Sequence, residues 1–226
     1  MNSPVSVDVI RVFTAPDGRF GNELGIVASS QRTTGREQAL AAALGFSETV
    51  FVDRVDAGVA TMRIFSPRVE LPFAGHPSVG TAWWLHHRGT PVTTLRVPAG
   101  DVPVRVDGDL TWIRGRAEWT SVFQWRVLDS VEALDALEPA GFTGAHLYPY
   151  TWTDEPAGRL RSRMFSPAFG IVEDQATGAA AIRLSYELDR DLAITQGRGS
   201  QLFTHRLADD WVEVGGRTAL DRTMER

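Results

Sequence analysis

The sequence predicts an α+β protein of two similar lobes, each a curved, mostly antiparallel sheet around one central helix. First, segments 63–67 and 163–167 read RIFSP and RMFSP, so a short motif recurs one hundred residues later. Second, each copy is followed in the same register by a loop that leads into a helix rich in small residues. Third, segments 95–115 and 194–216 each have the pattern of a β-hairpin with a tryptophan, Trp112 and Trp211. Such a duplication creates one cleft between two helix N-termini.

The first half, residues 1–116, is predicted to form the N-terminal lobe. Runs of β-branched and apolar residues predict its strands, and alanine and leucine at helical spacing predict a helix that ends at Gly45. A second helix, over 77–87, is predicted to be the central one. The strands are predicted at 7–13, 24–28, 49–52 and 60–65, the first helix at 34–44 and a hairpin at 97–113.

The second half, residues 117–226, repeats this plan as the C-terminal lobe. An acidic helical insert is predicted near 129–137, and the central helix of this lobe over 177–188. Strands are predicted at 146–151 and 160–165, with a last hairpin at 194–214. Residues 221–226 are expected to be a frayed tail. Neither central helix shows a wide polar face over its first turns, which is typical of a buried helix.

The composition excludes several classes of protein. The net charge is −5 and the basic residues are scattered singly, so nucleic acid is not an expected partner. No apolar run approaches the roughly 18 residues needed to span a membrane. The first residues lack the pattern of a signal peptide, so we expect a cytoplasmic protein. The chain has no cysteine, which excludes disulfides, thiolate nucleophiles and a two-thiol acid/base pair.

Two residues at the loop-to-helix junctions are candidates for chemistry. The N-terminus of a buried helix has free backbone N–H groups and a positive dipole end, so it is suited to bind a carboxylate. His76 and Asp174 lie at these junctions in the two halves. Two helix ends that meet at one cleft would hold a small anion and stabilise charge that develops on it. The alternative is that both residues are ordinary N-caps.

Glu48 is a third candidate, because it lies between a predicted helix and an apolar strand. A carboxylate in apolar surroundings is partly desolvated, which raises its pKa toward neutral pH and suits a general base. The alternatives are a solvated loop residue and a partner in a capping box. The isolated histidines lack metal-ligand spacing, and no dinucleotide fingerprint or lysine-centred motif is present, so we expect neither metal nor cofactor.

Several segments carry a family resemblance. They are Gly21-Asn22, SETVFV at 47–52, ELPFAGHP at 70–77, EDQATG at 173–178, QG at 196–197 and VGG at 214–216. In this order they resemble the PhzF family, the phenazine-biosynthesis isomerase-like proteins, within the wider diaminopimelate-epimerase-like fold. The resemblance covers nearly the whole chain.

The resemblance implies a cofactor-independent isomerase and a homodimer. The best-understood member of the family moves a proton between two ring carbons of a dihydro-hydroxyanthranilate, with one glutamate as shuttle. Glu48 would be that shuttle, while His76 and Asp174 would orient a small carboxylate-bearing, cyclic amino acid-like substrate and assist the proton. Substrate contacts are implied for Asn22, Ser47, Gly75, Thr177 and Gly178, the amides near the two glycines binding its carboxylate.

The chain departs from the family pattern at three positions. Gln175 stands where proline is frequent, Ala179 where serine is frequent, and Glu23 where proline is usual. These departures bear on the substrate more than on the fold. Related two-base racemases use a cysteine pair at the helix ends, which this chain lacks. The remaining alternative is a non-catalytic small-molecule-binding protein on the same fold.

Overall fold

The computed structural model describes residues 4–226, which form fourteen strands and four α-helices. The first half has the order that the apolar periodicity predicts, with the central helix beginning two residues earlier than expected, at Gly75. Its elements are β1 Ser6–Thr14, β2 Asn22–Ala28, α1 Glu37–Leu44, β3 Glu48–Asp56, β4 Val59–Phe65, β5 Glu70–Leu71, α2 Gly75–His87, β6 Thr94–Val97, β7 Gly100–Asp107 and β8 Leu110–Arg116.

The second half contains the two remaining helices and six strands. The acidic insert is helical, as predicted, and its N-cap Ser130 accepts a hydrogen bond from the amide of Ala133. The elements are β9 Gln124–Val127, α3 Val131–Asp135, β10 Leu147–Asp154, β11 Arg159–Ser162, α4 Gly178–Glu187, β12 Leu192–Gln196, β13 Ser200–Arg206 and β14 Trp211–Glu225.

The sheet of the first lobe closes into a barrel of eight strands. Its hydrogen-bonded order is β1, β2, β3, β4, β6, β7, β8 and β14, and β14 pairs with β1 to close the ring. Helix α2 lies inside this barrel, where its face of small residues lets the strands approach. A Cβ atom placed on Gly80 would lie 2.7 Å from side-chain carbons of both Leu24 and Val12. Gly80 is therefore required by close packing.

The long strand β14 belongs to both lobes. Its first part, Trp211–Gly216, pairs with β8, and its second part, Arg217–Glu225, pairs with β1. The prediction that 221–226 are a frayed tail is wrong, because the main chain of these residues has a partner strand that the linear sequence does not reveal. The predicted lobe boundary between residues 116 and 117 stays a prediction, with β14 contributing to both sheets.

The second lobe is a curved, open sheet around α4. Its order is β8, β14, β13, β12, β11, β10 and β9, with β9 at the edge. Helix α4 turns Ala180, Ala181 and Leu184 into the core, while Arg183 lies partly exposed at its other side. One apolar cluster runs through both lobes and includes residues inside the barrel and residues beneath α4. The α+β prediction of two curved sheets, each around a helix, is confirmed.

Among residues 4–226, no helix is both long enough and apolar enough to cross a bilayer.

Candidate active site

The N-termini of the two central helices touch each other between the lobes. A Cβ atom placed on Gly75 would lie 2.8 Å from the carbonyl carbon of Gly178, and one placed on Gly178 would lie 2.9 Å from the amide nitrogen of His76. Only glycine allows this approach, since any side chain would overlap the backbone of the opposite helix. Two sets of N-terminal N–H groups and two positive dipole ends are therefore concentrated at one point.

The caps of these helices rule out one alternative for His76 and Asp174. The N-cap residues are Ala74 and Thr177, and neither accepts a capping hydrogen bond through its side chain. His76 is the second residue of α2, and Asp174 lies in the loop that leads into α4. The ordinary N-cap interpretation is therefore wrong for both. Their side chains are available for other contacts.

Glu48 is the first residue of β3 and lies opposite Leu24 in the parallel pairing with β2. Its side chain is 19% exposed, and Oε2 has no hydrogen-bond partner among residues 4–226. Burial raises the pKa of Glu48 from its ordinary 4.5 to about 7. The solvated-loop and capping-box alternatives are both wrong, because this carboxyl is buried at the start of a strand.

His76, at the N-terminal end of α2, lies next to that carboxyl. Its Nδ1 lies 3.2 Å from Oε2 of Glu48, without the alignment of a hydrogen bond, and its ring is 4% exposed. Burial lowers the pKa of His76 to about 4, although the charge of Asp174 partly opposes this. His76 is therefore neutral at pH 7, and its Nε2 has no partner within the described chain.

Asp174 faces the same point from the second lobe. Its Oδ1 accepts a hydrogen bond of 2.6 Å from the Asn22 amide, and its Oδ2 accepts one of 2.5 Å from the Thr177 hydroxyl. Burial and, second to it, the nearby charge of Glu48 together raise the pKa of Asp174 to about 6, although both hydrogen bonds oppose the shift. Across residues 4–226, neither carboxyl has an arginine within 4.0 Å.

The structure brings together the residues that the sequence singled out, but their side chains differ in whether they have hydrogen-bond partners. Glu48, His76 and Asp174 converge beside the touching glycines. Asn22 and Thr177 have their side chains engaged with Asp174, and Asn22 also donates to the carbonyl of Ala176. Ser47 is partly exposed, but its hydroxyl oxygen is buried and has no partner among the described residues.

Two further residues at this site were missed as site candidates. Gln196, at the end of β12, donates to the carbonyl of Asp174 and to the Thr177 hydroxyl at 2.9 and 2.8 Å. Tyr148, on β10, donates to the Gln196 side-chain oxygen at 3.1 Å. The motif QG at 196–197 was the one available signal for Gln196. Nothing in the sequence spacing connects Tyr148 to this site.

The chemistry that this site can perform is limited by its side chains. All basic residues of the chain are arginines, so no lysine can form a Schiff base. Within residues 4–226, no group of three or more His, Asp and Glu side chains is arranged to hold a metal ion. What remains is a buried carboxyl that titrates near neutral pH, a neutral imidazole and a second carboxyl, all beside two helix ends. These side chains are of the kinds that take up and release protons.

Comparison with known proteins gives the family of the chain. The sequence family described as phenazine biosynthesis-like protein matches residues 10–138 and 127–206. The trans-2,3-dihydro-3-hydroxyanthranilate isomerase of Pseudomonas aeruginosa is 34% identical, with 79% of this chain and 78% of that protein aligned. The enzyme of the same name from Pseudomonas chlororaphis is 34% identical over 71% of each chain. The chain therefore belongs to the PhzF family and is an isomerase.

Solved structures show the same fold at lower identity. A PhzF family protein from Bacillus anthracis superposes with a TM-score of 0.79 at 20% identity, over 100% of this chain and 99% of that chain. A hydroxyproline epimerase from Agrobacterium vitis superposes with a TM-score of 0.62 at 11% identity, over 99% and 92% of the two chains. The epimerase-like fold predicted from the resemblance is confirmed.

Proposed function

We propose that this isomerase moves a proton between two carbons of a small, carboxylate-bearing substrate, with Glu48 as the single acid/base. The observation that carries the proposal is the position of Glu48. Its carboxyl is buried, has a pKa of about 7 and lies beside the touching N-termini of α2 and α4. A general base is most effective when its pKa lies near the working pH.

The reaction would proceed in two proton transfers through one carboxyl. The ionised Glu48 takes a proton from an acidic C–H bond of the substrate, and the electron pair delocalises into the adjacent unsaturated system. The protonated Glu48 then gives the proton to another carbon of that system, where a new C–H bond forms. The substrate is neither oxidised nor reduced, and Glu48 returns to its ionised form.

The helix ends would hold the substrate's carboxylate. The free N–H groups near Gly75 and Gly178 are pre-oriented donors, and two dipole ends add favourable potential. Substrate contacts from Asn22, Ser47 and Thr177 belong to the same proposal. The unpartnered Ser47 hydroxyl supports its part in particular, because a buried hydroxyl without a partner is costly unless a ligand supplies one.

His76 and Asp174 would orient the substrate and assist the proton. Asp174 is suited to accept from an ammonium or hydroxyl group of the substrate, because it has no arginine partner. The Nδ1 atom of neutral His76 lies beside Glu48, and its Nε2 atom, which has no partner within residues 4–226, is available to the substrate. We propose a cyclic, β,γ-unsaturated amino acid as the substrate class, in line with the name of the Pseudomonas enzymes.

Solvent-deuterium exchange followed by NMR tests this proposal. Incubation of such an amino acid with the enzyme in D₂O should move the double bond and incorporate deuterium. Glu48→Gln should lower turnover by roughly 10²–10⁴-fold, because the amide cannot act as a base. Binding should largely survive in this variant, since the helix ends hold the carboxylate. His76→Ala and Asp174→Ala should weaken binding as well as rate.

The exposed Glu118 gives a matched control, because Glu118→Gln makes the same chemical change at a solvent-exposed position that is not one of the site residues. Near-normal turnover of Glu48→Gln on a substrate that the wild-type enzyme isomerises would refute the mechanism. Tight binding with neither isomerisation nor deuterium uptake would favour the non-catalytic binding protein.

We also propose that the protein forms a homodimer. The family resemblance supports this, as does the exposed edge strand β9 of the open sheet, since free strand edges are usually covered. Sedimentation velocity at micromolar concentration should show a species of twice the chain mass. A single monomeric species across that range would contradict the proposal.

A further inference from the structure

A chain of hydrogen bonds runs from β11, through the buried side chains of Tyr148 and Gln196, to the part-buried carboxyl of Asp174. Ser162 donates to the Tyr148 hydroxyl at 2.9 Å, and Tyr148 donates to Oε1 of Gln196 at 3.1 Å. Gln196 donates to the Thr177 hydroxyl, which donates to Asp174. Ser162, Tyr148 and Gln196 are all 0% exposed. The fold thus places an extended polar network in a low-dielectric core, directly behind the site.

The backbone fixes the orientation of the Gln196 amide. The Thr177 N–H, which can only donate, lies 3.1 Å from Oε1. The Asp174 carbonyl, which can only accept, lies 2.9 Å from Nε2. Flipping the amide would put two donors face to face and two acceptors face to face. Because neither backbone group can exchange its role, the side-chain orientation follows without any further assumption.

This orientation decides the direction of the remaining bonds. The second hydrogen on Nε2 of Gln196 points at the Thr177 hydroxyl, 2.8 Å away. The hydroxyl oxygen therefore accepts from Gln196, and its own proton is directed to Oδ2 of Asp174 at 2.5 Å. Without Gln196, Thr177 could rotate and donate elsewhere, or accept a proton from a neutral Asp174.

The consequence concerns how the two carboxyls of the site share protons. Both oxygens of Asp174 accept hydrogen bonds, from Asn22 and from Thr177, which favours its ionised form. Oε2 of Glu48 has no donor within the described residues. The titratable groups that face Asp174 are Glu48 from β3, His76 from α2 and Tyr148 from β10. Of these, ionised Glu48 disfavours ionisation of Asp174 by like-charge repulsion, and His76 favours it only when the imidazole is protonated.

We infer that Gln196 is a positioning residue that commits the Thr177 hydroxyl to Asp174, so that Asp174 stays ionised while Glu48 carries the mobile proton. Gln196 itself does not touch the reacting atoms. The significance for catalysis rests on the proposed function, but the effect on Asp174 is a property of the free protein. An ionised Asp174 beside a shuttling Glu48 prevents the two carboxyls from exchanging roles.

The test is a ¹³C NMR titration of the Asp174 carboxyl in the substrate-free protein. Gln196→Met keeps the length of the side chain and removes its hydrogen bonds. It should raise the pKa of Asp174 by roughly one unit or more, because the carboxylate loses a directed donor. The acidic limb of the pH profile of kcat/KM should move upward with it. An unshifted Asp174 titration in a folded Gln196→Met variant would overturn the inference.

A second pair of variants keeps the test decisive if Gln196→Met fails to fold. Thr177→Val removes the hydroxyl and should raise the Asp174 pKa, whereas Thr177→Ser keeps the hydroxyl and should restore the wild-type titration. Equal titrations in Thr177→Val and wild type would overturn the inference. These results do not depend on turnover, so a refuted Glu48 mechanism and a refuted role for Gln196 are distinguishable.

Discussion

The first lobe closes its sheet into a barrel, whereas the second lobe leaves its sheet open, yet both present a helix N-terminus at one point. In the barrel, α2 is enclosed along most of its length, and ten of its thirteen residues are buried. In the open lobe, α4 keeps a partly exposed side that carries Arg183. The position of a helix end therefore depends on the local motif before it and not on closure of the surrounding sheet.

The duplicated motif explains how both lobes achieve this. Arg63 binds Glu70 at 2.7 Å and lies 4.9 Å from the centre of the Phe65 ring. Arg163 binds Glu173 at 2.8 Å and lies 4.8 Å from the centre of the Phe165 ring.

The same arrangement, an arginine that pairs with a glutamate and lies over a phenylalanine ring, thus holds the loop before each central helix. The residues that would perform the chemistry differ between the two lobes. The first lobe has His76 after its helix glycine, where the second has Ala179. Glu48 belongs to the first lobe only, and Asp174 to the second.

Arg63 and Arg163 should contribute unequally to the free energy of unfolding. Arg163 is 12% exposed and also donates to three carbonyls, whereas Arg63 is 39% exposed. Arg163→Met removes the partner of a half-buried Glu173 and a donor to three carbonyls, so it should lower the free energy of unfolding by about 3–5 kcal/mol. Arg63→Met breaks ion pairs with Glu70 and Glu37 in which the arginine is more solvated, so it should cost less, about 1 kcal/mol. Urea denaturation of both variants measures the difference.

Adding Glu173→Gln to Arg163→Met should recover part of the loss, because it removes the uncompensated charge. Equal losses in the free energy of unfolding for Arg63→Met and Arg163→Met would show that the two arginines stabilise the protein equally, against this prediction.

The two site carboxyls should make the free energy of unfolding depend on pH over two different ranges. The pKa of Glu48 rises on folding from 4.5 to about 7, so its contribution to stability is present below pH 4.5 and is lost as the pH rises through 7. The contribution of Asp174 is lost in the same way as the pH rises from 3.8 to about 6. His76 contributes with the opposite sign, since its contribution is lost as the pH falls toward 4. His76 is unchanged in the two variants of the next paragraph, so its contribution cancels when each variant is compared with wild type.

Glu48→Gln should therefore gain stability over wild type as the pH rises from 4.5 to 7, by on the order of 1–3 kcal/mol. Asp174→Asn should show a similar gain that ends near pH 6. Urea unfolding of both variants from pH 4 to 8 measures these differences. A constant difference between Glu48→Gln and wild type over this range would mean that the Glu48 carboxyl does not change its proton affinity on folding.

The sequence predicted the fold and three convergent residues because these depend on local signals. The repeated motif, the small residues of α2 and α4 and the conspicuous Glu48 can each be read from a short segment. The pairing of β14 with β1 could not be predicted, because it joins residues about two hundred positions apart. Gln196 and Tyr148 were missed as site residues for the same reason. A buried glutamine reaches Asp174 only after β12 has been placed beside α4 by the whole sheet.

The sharing of β14 has a consequence for the order in which the molecule can assemble. The barrel of the first lobe is built from β1 to β8, but its last gap is filled by residues 217–225. A growing chain on the ribosome can therefore form most of this lobe early, yet must leave its β1 edge open until nearly all of the second lobe has been made. Such a long-range closure is slow, because the ends of a large loop must meet. Maturation of the Glu48 side of the cleft thus waits for the same late event that completes the Asp174 side.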